Sequence, residues 1–320
     1  MYYYETMIIR SLYFFLTFLI WLCFVSPVYA ATYKVNGDII GELSYYKVKE
    51  EDNLYAIARR FDIGIVELLS ANPGVDPWQP KVGTELTIAT MHILPNTPRE
   101  GIVLNLSELR LFYYIDANTV MTFPIGIGRE GWQTPLGVTK IVMKRKNPVW
   151  TPPQSIRQEN PELPDIMPAG PDNPLGLFAL NLGWNNYAIH GTNRPYGIGK
   201  RSSHGCIRLY PEDIKILFDA IKVDTKVNVI DVPYKLGWKD EELFLEVTPT
   251  QLQADIISRY EIPPKVIISG VKQVISNMAK DALIDWFQVR RTLGSHSNIP
   301  VPIGIKYHGD INNYVADRIN

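Results

Sequence analysis

Ser202-Ser203-His204-Gly205-Cys206-Ile207-Arg208-Leu209, with His190-Gly191-Thr192 sixteen positions before the cysteine, is the stretch on which the reading of this chain turns. The chain has two cysteines, and the other, Cys23, lies in an N-terminal segment read below as a discarded export signal. Cys206 then has no partner for an intramolecular disulfide, and a free thiol enters an oxidising compartment. There it is a liability unless its reactivity is used. Two histidines and a glycine nearby point to thiolate attack on a carbonyl. An imidazole takes the thiol proton, and the ion pair so formed lowers the thiol pKa from about 8.5 toward neutrality. Gly205 lets the backbone approach closely, so the N–H groups of Gly205 and Cys206 are candidate donors to the oxyanion of the tetrahedral intermediate. His190 and His204 are both candidate bases. Proximity favours His204, because residues i and i+2 of an extended segment share a face.

Competing readings are weaker. Cys206, His190 and His204 offer three zinc ligands, but no fourth is evident nearby. Ser203 lacks the Gly-x-Ser-x-Gly elbow of a serine nucleophile and reads as a turn hydrogen-bonder. His92, His296 and His308 belong to no constellation and read as structural or solvent-facing. The chemistry calls for no metal and no organic cofactor.

Composition bounds the rest. At 320 residues, 46% hydrophobic and 20% charged, the chain suits two or three ordinary folded domains. Its 32 basic and 33 acidic side chains leave a net charge of −1, which gives no electrostatic ground for nucleic-acid binding. The 24 prolines and 18 tyrosines lean toward strands and loops. At the N-terminus, Arg10 precedes the uncharged run Ser11 to Ser26, and Val28-Tyr29-Ala30 offers a small-x-small cleavage site. Residues 1–30 therefore read as a signal peptide. The run is short for a spanning helix, which needs about 20 apolar residues, so membrane attachment arises only if the signal stays uncleaved. Leu22 is too large for a lipoprotein signal at Cys23. The remainder is expected to be exported and soluble.

Three units follow, separated first by the Pro95- and Pro98-containing stretch Thr90 to Pro98. In residues 44–89, Tyr45 to Val48 reads as a strand, and Asp52-Asn53-Leu54 as a helix start with Leu54, Ile57, Ala58 and Phe61 on one face. Val66 to Asn72 reads as a second helix stopped by Pro73-Gly74, and Val82 to Ile88 as a returning strand. This βααβ order resembles the LysM module at Tyr46, Val48, Leu54, Ile57, Ala58, Phe61, Leu69, Ala71, Asn72, Gly83, Leu86 and Ile88. Glu51 stands where that family usually has glycine. The resemblance, not the periodicity, implies binding of N-acetylglucosamine-containing glycan, chiefly peptidoglycan or chitin.

Residues 99–231 read as a mostly-β unit with alternating strands at 102–106, 110–114 and 120–127, a strand ending at His190, and one helix from Pro211 to Phe218. The proline-rich stretch Asn147 to Asn173 is long for a loop and is expected to lid a site. The unit resembles the L,D-transpeptidase catalytic domain (YkuD-type), through the two motifs above and through Gly126-Ile127-Gly128, Thr134-Pro135-Leu136-Gly137, Asn147 to Pro153 and Gly170 to Gly176. That resemblance implies Cys206 as the acylated nucleophile, His190 as general acid/base and the Gly191 carbonyl as orienter of its imidazole. It implies His204 and Gly205 in the oxyanion turn. Arg208, with Ser203 and Thr192, is placed on the substrate side, against the plainer reading of Arg208 as a surface ion-pair partner.

Residues 232–320 form an extension of unassigned role, expected to be α-rich, with a strand near 243–247 and amphipathic helices over 250–260 and 268–293. The whole is an α+β multi-domain chain. Its order of parts resembles the proteobacterial ErfK/YbiS/YcfS/YnhG group of L,D-transpeptidases. The resemblance implies a periplasmic transferase of peptidoglycan biosynthesis, cell-wall biogenesis and cell shape. Its donor is a peptidoglycan stem peptide, and its acceptor is a second diaminopimelate (a 3→3 cross-link) or a lysine of an outer-membrane lipoprotein. A hydrolase-like cysteine peptidase with water as acceptor, and a non-catalytic peptidoglycan-binding scaffold, are the alternatives.

Overall fold

A computed structural model describes residues 32–266 and 268–308. The expected signal peptide, with Arg10 and Cys23, lies outside the described residues. Among those described, no helix is long and apolar enough to cross a membrane.

Two short strands, β1 (Thr32–Lys34) and β2 (Ile39–Ile40), precede the small unit of β3 (Leu43–Lys47), α1 (Leu54–Arg60), α2 (Ile65–Ala71) and β4 (Glu85–Ala89). β3 and β4 pair antiparallel. The Asn53 side chain accepts from the Ala56 N–H at 2.9 Å and starts α1, while Arg59 and Arg60 complement the dipole at its end. Leu54, Ile57 and Ala58 turn inward onto Leu68, Leu86 and Ile88, giving the unit its own core. Asn72 stitches the two layers: its amide donates to the Leu68 and Thr87 carbonyls and accepts from the Thr87 N–H at 2.7 Å. Glu51 takes φ +70°, the left-handed region that glycine occupies at no steric cost.

The stretch expected as a linker contains β5 (His92–Ile93), which pairs with β2. Beyond it run β6 (Gly101–Asn105), β7 (Arg110–Asp116), β8 (Thr119–Pro124), β9 (Ile127–Gly128), β10 (Gly137–Lys146), α3 (Gln154–Glu159), β11 (Phe178–Leu182), β12 (Ala188–His190), β13 (Arg201–Ser203), β14 (Ile207–Arg208), α4 (Pro211–Ala220) and β15 (Lys226–Ile230). One nine-stranded sheet takes the order β1-β8-β7-β6-β15-β10-β11-β12-β14. β10 carries an irregularity between Ile141 and Met143, which lets one strand pair with β15 at its start and β11 at its end, curling the sheet. Because β1 is an edge of this sheet, the small unit is an insertion after the first strand of the large one.

The extension builds a second sheet, β16 (Tyr234–Lys239), β17 (Glu242–Val247), β19 (Val301–Lys306) and β18 (Ala282–Ile284), in that order. Its helices are α5 (Gln251–Ser258), α6 (Val271–Met278) and α7 (Trp286–Ser295). The expected helix over 268–293 is in fact α6 and α7 with β18 between them. Asp285 causes the break, since its carboxylate accepts from the Phe287 and Gln288 N–H groups and starts a new helix. Leu243, Leu245, Ile275, Val289 and Ile303 form a separate core.

The three units are joined by polar as well as apolar contacts. Lys235 of the extension donates to Glu108 at 2.6 Å and to the Ile93 carbonyl at 2.5 Å, and lies 3.0 Å from Glu246. Arg110 pairs with Glu67 of the small unit at 2.7 Å. His92 is buried in their midst, a structural residue and not a solvent-facing one. Ile257 of α5 packs on the cores of both other units, and Asp255 pairs with Arg201. At Gly199, φ is +75° and an added Cβ would stand 2.3 Å from the Gly64 Cα, so only glycine lets the large unit seat against the start of α2.

Candidate active site

β12 and β14 are adjacent parallel strands, with His190 in register with Arg208. Register partners share a face, as do residues i and i+2, so His190, Arg208 and Cys206 are brought to one side. All three line a pocket of about 460 Å³. Its far wall is the proline-rich stretch, through Trp150, Ile156, Glu159 and Leu163 among others, as expected of a lid. Asn173 holds the base of that stretch by donating to the Pro148 and Pro168 carbonyls, and a bridge joins Trp150 to Met167.

His190 is buried, and its Nδ1 lies 2.6 Å from the Gly191 carbonyl oxygen. A carbonyl only accepts, so Nδ1 carries the proton and Nε2 is left with a free lone pair. Burial, with Arg208 and Arg145 nearby, pushes the imidazole pKa down to about 3. The Cys206 thiol is pushed up from its ordinary value by burial, against the opposing pull of the Ala188 backbone and the two arginines. Burial thus disfavours both the thiolate and the imidazolium, and the nearby guanidinium groups penalise the imidazolium further while favouring the thiolate.

One measurement checks this. Alkylation of Cys206 by iodoacetamide should climb through pH 7 to 9 without levelling off, since the thiolate fraction is still rising there. A plateau beginning near pH 6 would mean that the ion pair exists after all.

The turn before β14 is built for close approach. Gly205 has φ +99°, and an added Cβ would meet the Tyr187 ring at 2.9 Å. Thr134 donates to the Gly205 carbonyl at 2.9 Å. Buried Ser203 accepts from the Gly205 N–H at 3.1 Å and donates to the Cys206 carbonyl at 2.5 Å. The Gly205 N–H, expected at the oxyanion, is thus already engaged. His204 lines the same pocket; its Nε2–H donates to Glu159 at 2.9 Å and its ring meets Trp132 edge-on, so it also ties the lid down. Thr192 is buried and accepts from the Arg194 N–H at 2.9 Å; it shapes the loop and does not line the pocket.

Arg208 does line it. Its Nη1 donates to the Ser202 carbonyl at 3.3 Å, but its buried Nε has no partner. No carboxylate pairs with it among the described residues, so it is not the surface ion-pair partner of the plainer reading. Arg145, Arg194 and Asn186 were not singled out from the sequence, yet they also face the pocket. Arg145 donates to Asn181 at 2.9 Å and to the Val149 carbonyl at 3.4 Å, which hold it at the site. The pocket thus brings together a thiol, an imidazole with a free Nε2 lone pair and a basic wall.

Comparison with known proteins follows the same division. Residues 99–229 match the model of the L,D-transpeptidase catalytic domain, and residues 46–89 match the LysM domain. The chain is similar to the probable L,D-transpeptidase YcfS of Escherichia coli K12, 36% identical over 90% of this chain and 93% of that one. It is similar to the probable L,D-transpeptidase YbiS of the same strain, 39% identical over 87% and 94%. A third relative is the probable L,D-transpeptidase ErfK/SrfK of Salmonella typhimurium, 42% identical over 78% and 82%.

Proposed function

The chain belongs to the L,D-transpeptidase family, and on that premise we propose that it is a periplasmic enzyme acylated at Cys206 by peptidoglycan stem tetrapeptides. The observation that carries this is the delivery of Cys206, the Nε2 lone pair of His190 and the unpaired Arg208 guanidinium into one lidded pocket. Cys206 Sγ attacks the carbonyl at the L-centre of the third residue, meso-diaminopimelate, while His190 Nε2 takes the thiol proton. The Cys206 N–H is the oxyanion donor, in the turn that Thr134 and Ser203 hold. The C–N bond breaks, the proton passes from Nε2 to the departing D-alanine amine, and a thioester remains. An acceptor amine then attacks the thioester, gives its proton to Nε2, and the thiol reforms. Arg208, with Arg145 and Arg194, meets the substrate carboxylates. The guanidinium is partly buried, has no counter-ion and holds an unpartnered Nε, so an anionic substrate would satisfy it.

The LysM unit holds the enzyme on glycan and raises the local concentration of stems. The acceptor is a second diaminopimelate or a lysine of an outer-membrane lipoprotein. Export rests on the signal read in residues 1–30. The test is to incubate the purified chain with tetrapeptide muropeptides and read product masses. A dimer lighter by one D-alanine is the expected result. Loss of D-alanine without a dimer would convert the reading to a hydrolase, unless added lipoprotein is captured. A chain that forms neither a product nor a thioester would be a binding scaffold.

A further inference from the structure

Outside the catalytic pocket, a second cleft of about 340 Å³ opens where the LysM unit meets the large unit. Tyr55 lies in it, and two exposed rings flank Tyr55: Trp78 from the loop before β4 and Tyr196 from the loop after β12. Trp78 is 53% exposed and Tyr196 57% exposed. Their ring centres are 6.2 Å apart, and they sit 4.7 Å and 5.5 Å from that of Tyr55. The three rings step across the boundary between the units with two faces open to solvent. Large aromatic faces left exposed side by side mark a ligand surface more than a folding requirement.

The arginine charges at this cleft are already matched. Arg59 donates from Nε and Nη2 to the two Glu212 carboxylate oxygens at 2.6 and 2.7 Å, also across the boundary. Arg60 donates to the Tyr46 hydroxyl at 2.8 Å and lies 3.6 Å from Asp52. Lys200 donates to the Tyr55 hydroxyl at 3.1 Å. A charged ligand at the arginines would have to break their pairs. A neutral ligand with flat apolar faces and a polar edge does not, and a pyranose ring with hydroxyl and acetamido groups is of that kind. Position supplies the second argument. Asn193 and Arg194 line the catalytic pocket, and Pro195 and Tyr196 line the aromatic cleft. Four successive residues thus run from one to the other, a span from Asn193 to Tyr196 of at most about 11 Å.

We infer that Trp78 and Tyr196 form one composite saccharide site, in which Tyr196 of the catalytic unit extends the LysM unit's hold on the peptidoglycan glycan toward the Cys206 pocket. This rests on the proposed function for the choice of glycan, and it makes the joint between the units a device that sets which stem reaches the thiol.

The test uses the full chain carrying Cys206→Ala, so that binding is read without turnover, and peptide-free glycan strands prepared from peptidoglycan as the probe. Titration is followed by calorimetry, with thermal unfolding of each variant as the fold check. Trp78→Ala and Tyr196→Ala should each weaken binding by about tenfold, the size of one aromatic stacking contact. Tyr196→Phe, which keeps the ring, should bind within about twofold of the parent. Weakening by Trp78→Ala alone would confine the site to the LysM unit and overturn the composite reading. Tight binding in all variants would remove the cleft from glycan recognition altogether. Neither result depends on whether Cys206 is acylated by stem peptides, so failure here and failure of the proposed activity are read separately.

Discussion

Cys206→Ala should abolish acyl-enzyme formation, and His190→Ala should slow it by about 10³–10⁴-fold, whereas His204→Ala should cost less than about tenfold. The ordering follows from the site. No other side chain in the pocket offers a thiol, so the alanine variant has nothing to acylate. His190 presents an unprotonated Nε2 because Gly191 holds the Nδ1 proton at 2.6 Å. The thiol that it must deprotonate is held above its ordinary pKa, so little thiolate exists without the base. His204 touches Glu159, Trp132 and Arg129, and its loss loosens the lid without removing a proton acceptor. Thioester formation followed by intact-mass spectrometry separates the three. Equal losses in the two histidine variants would mean that the lid latch, not the imidazole of His190, limits acylation, and the assignment of the base would fall. A His204→Ala loss larger than that of His190→Ala would exchange their roles.

Local signals made most of this architecture readable in advance. The small unit declares itself through a capping asparagine at 53 and apolar residues at helical spacing, and the site motifs lie within the 19 residues from His190 to Arg208. What the sequence could not show was set by distant partners. β1 and β2 are three and two residues long, too short for periodicity, and acquire meaning only from β8 and β5. The sequence places His204 beside Cys206 but not its hydrogen-bond partner: Glu159 is 45 positions upstream, on a helix inside a proline-rich stretch. The protonation of the thiol and imidazole was illegible for the same reason. Motif spacing says that thiol and imidazole belong together, but their protonation depends on burial and on Arg145 and Arg208, which only the folded sheet brings in. The role of the extension was likewise illegible, because its most telling side chain, Lys235, is an unremarkable lysine until Glu108 closes on it from 127 positions away.

Lys235→Ala should destabilise the chain by about 3–5 kcal/mol, more than any exposed ion pair here would cost. The lysine head is buried, bonded to Glu108 and the Ile93 carbonyl, and 3.0 Å from Glu246, whose second oxygen has no partner. Burial already pushes the Glu246 carboxyl up from its ordinary pKa, and Lys235 is the largest influence holding it down. Without the ammonium, two carboxylates remain together in a dry junction beside His92, and each must take a proton or water must enter. Either outcome opens the seam between the extension and the large unit. Denaturant unfolding measures the loss, and limited proteolysis within 232–250 reports whether the seam opens first. The charge argument is checked by the triple variant Lys235→Met, Glu108→Gln and Glu246→Gln, which removes the unpaired charges along with the lysine. It should regain at least half of the lost stability. A Lys235→Ala loss below about 1 kcal/mol would show that the seam is held by its apolar contacts, and that the extension is fastened to the enzyme through Ile257 and its neighbours on α5.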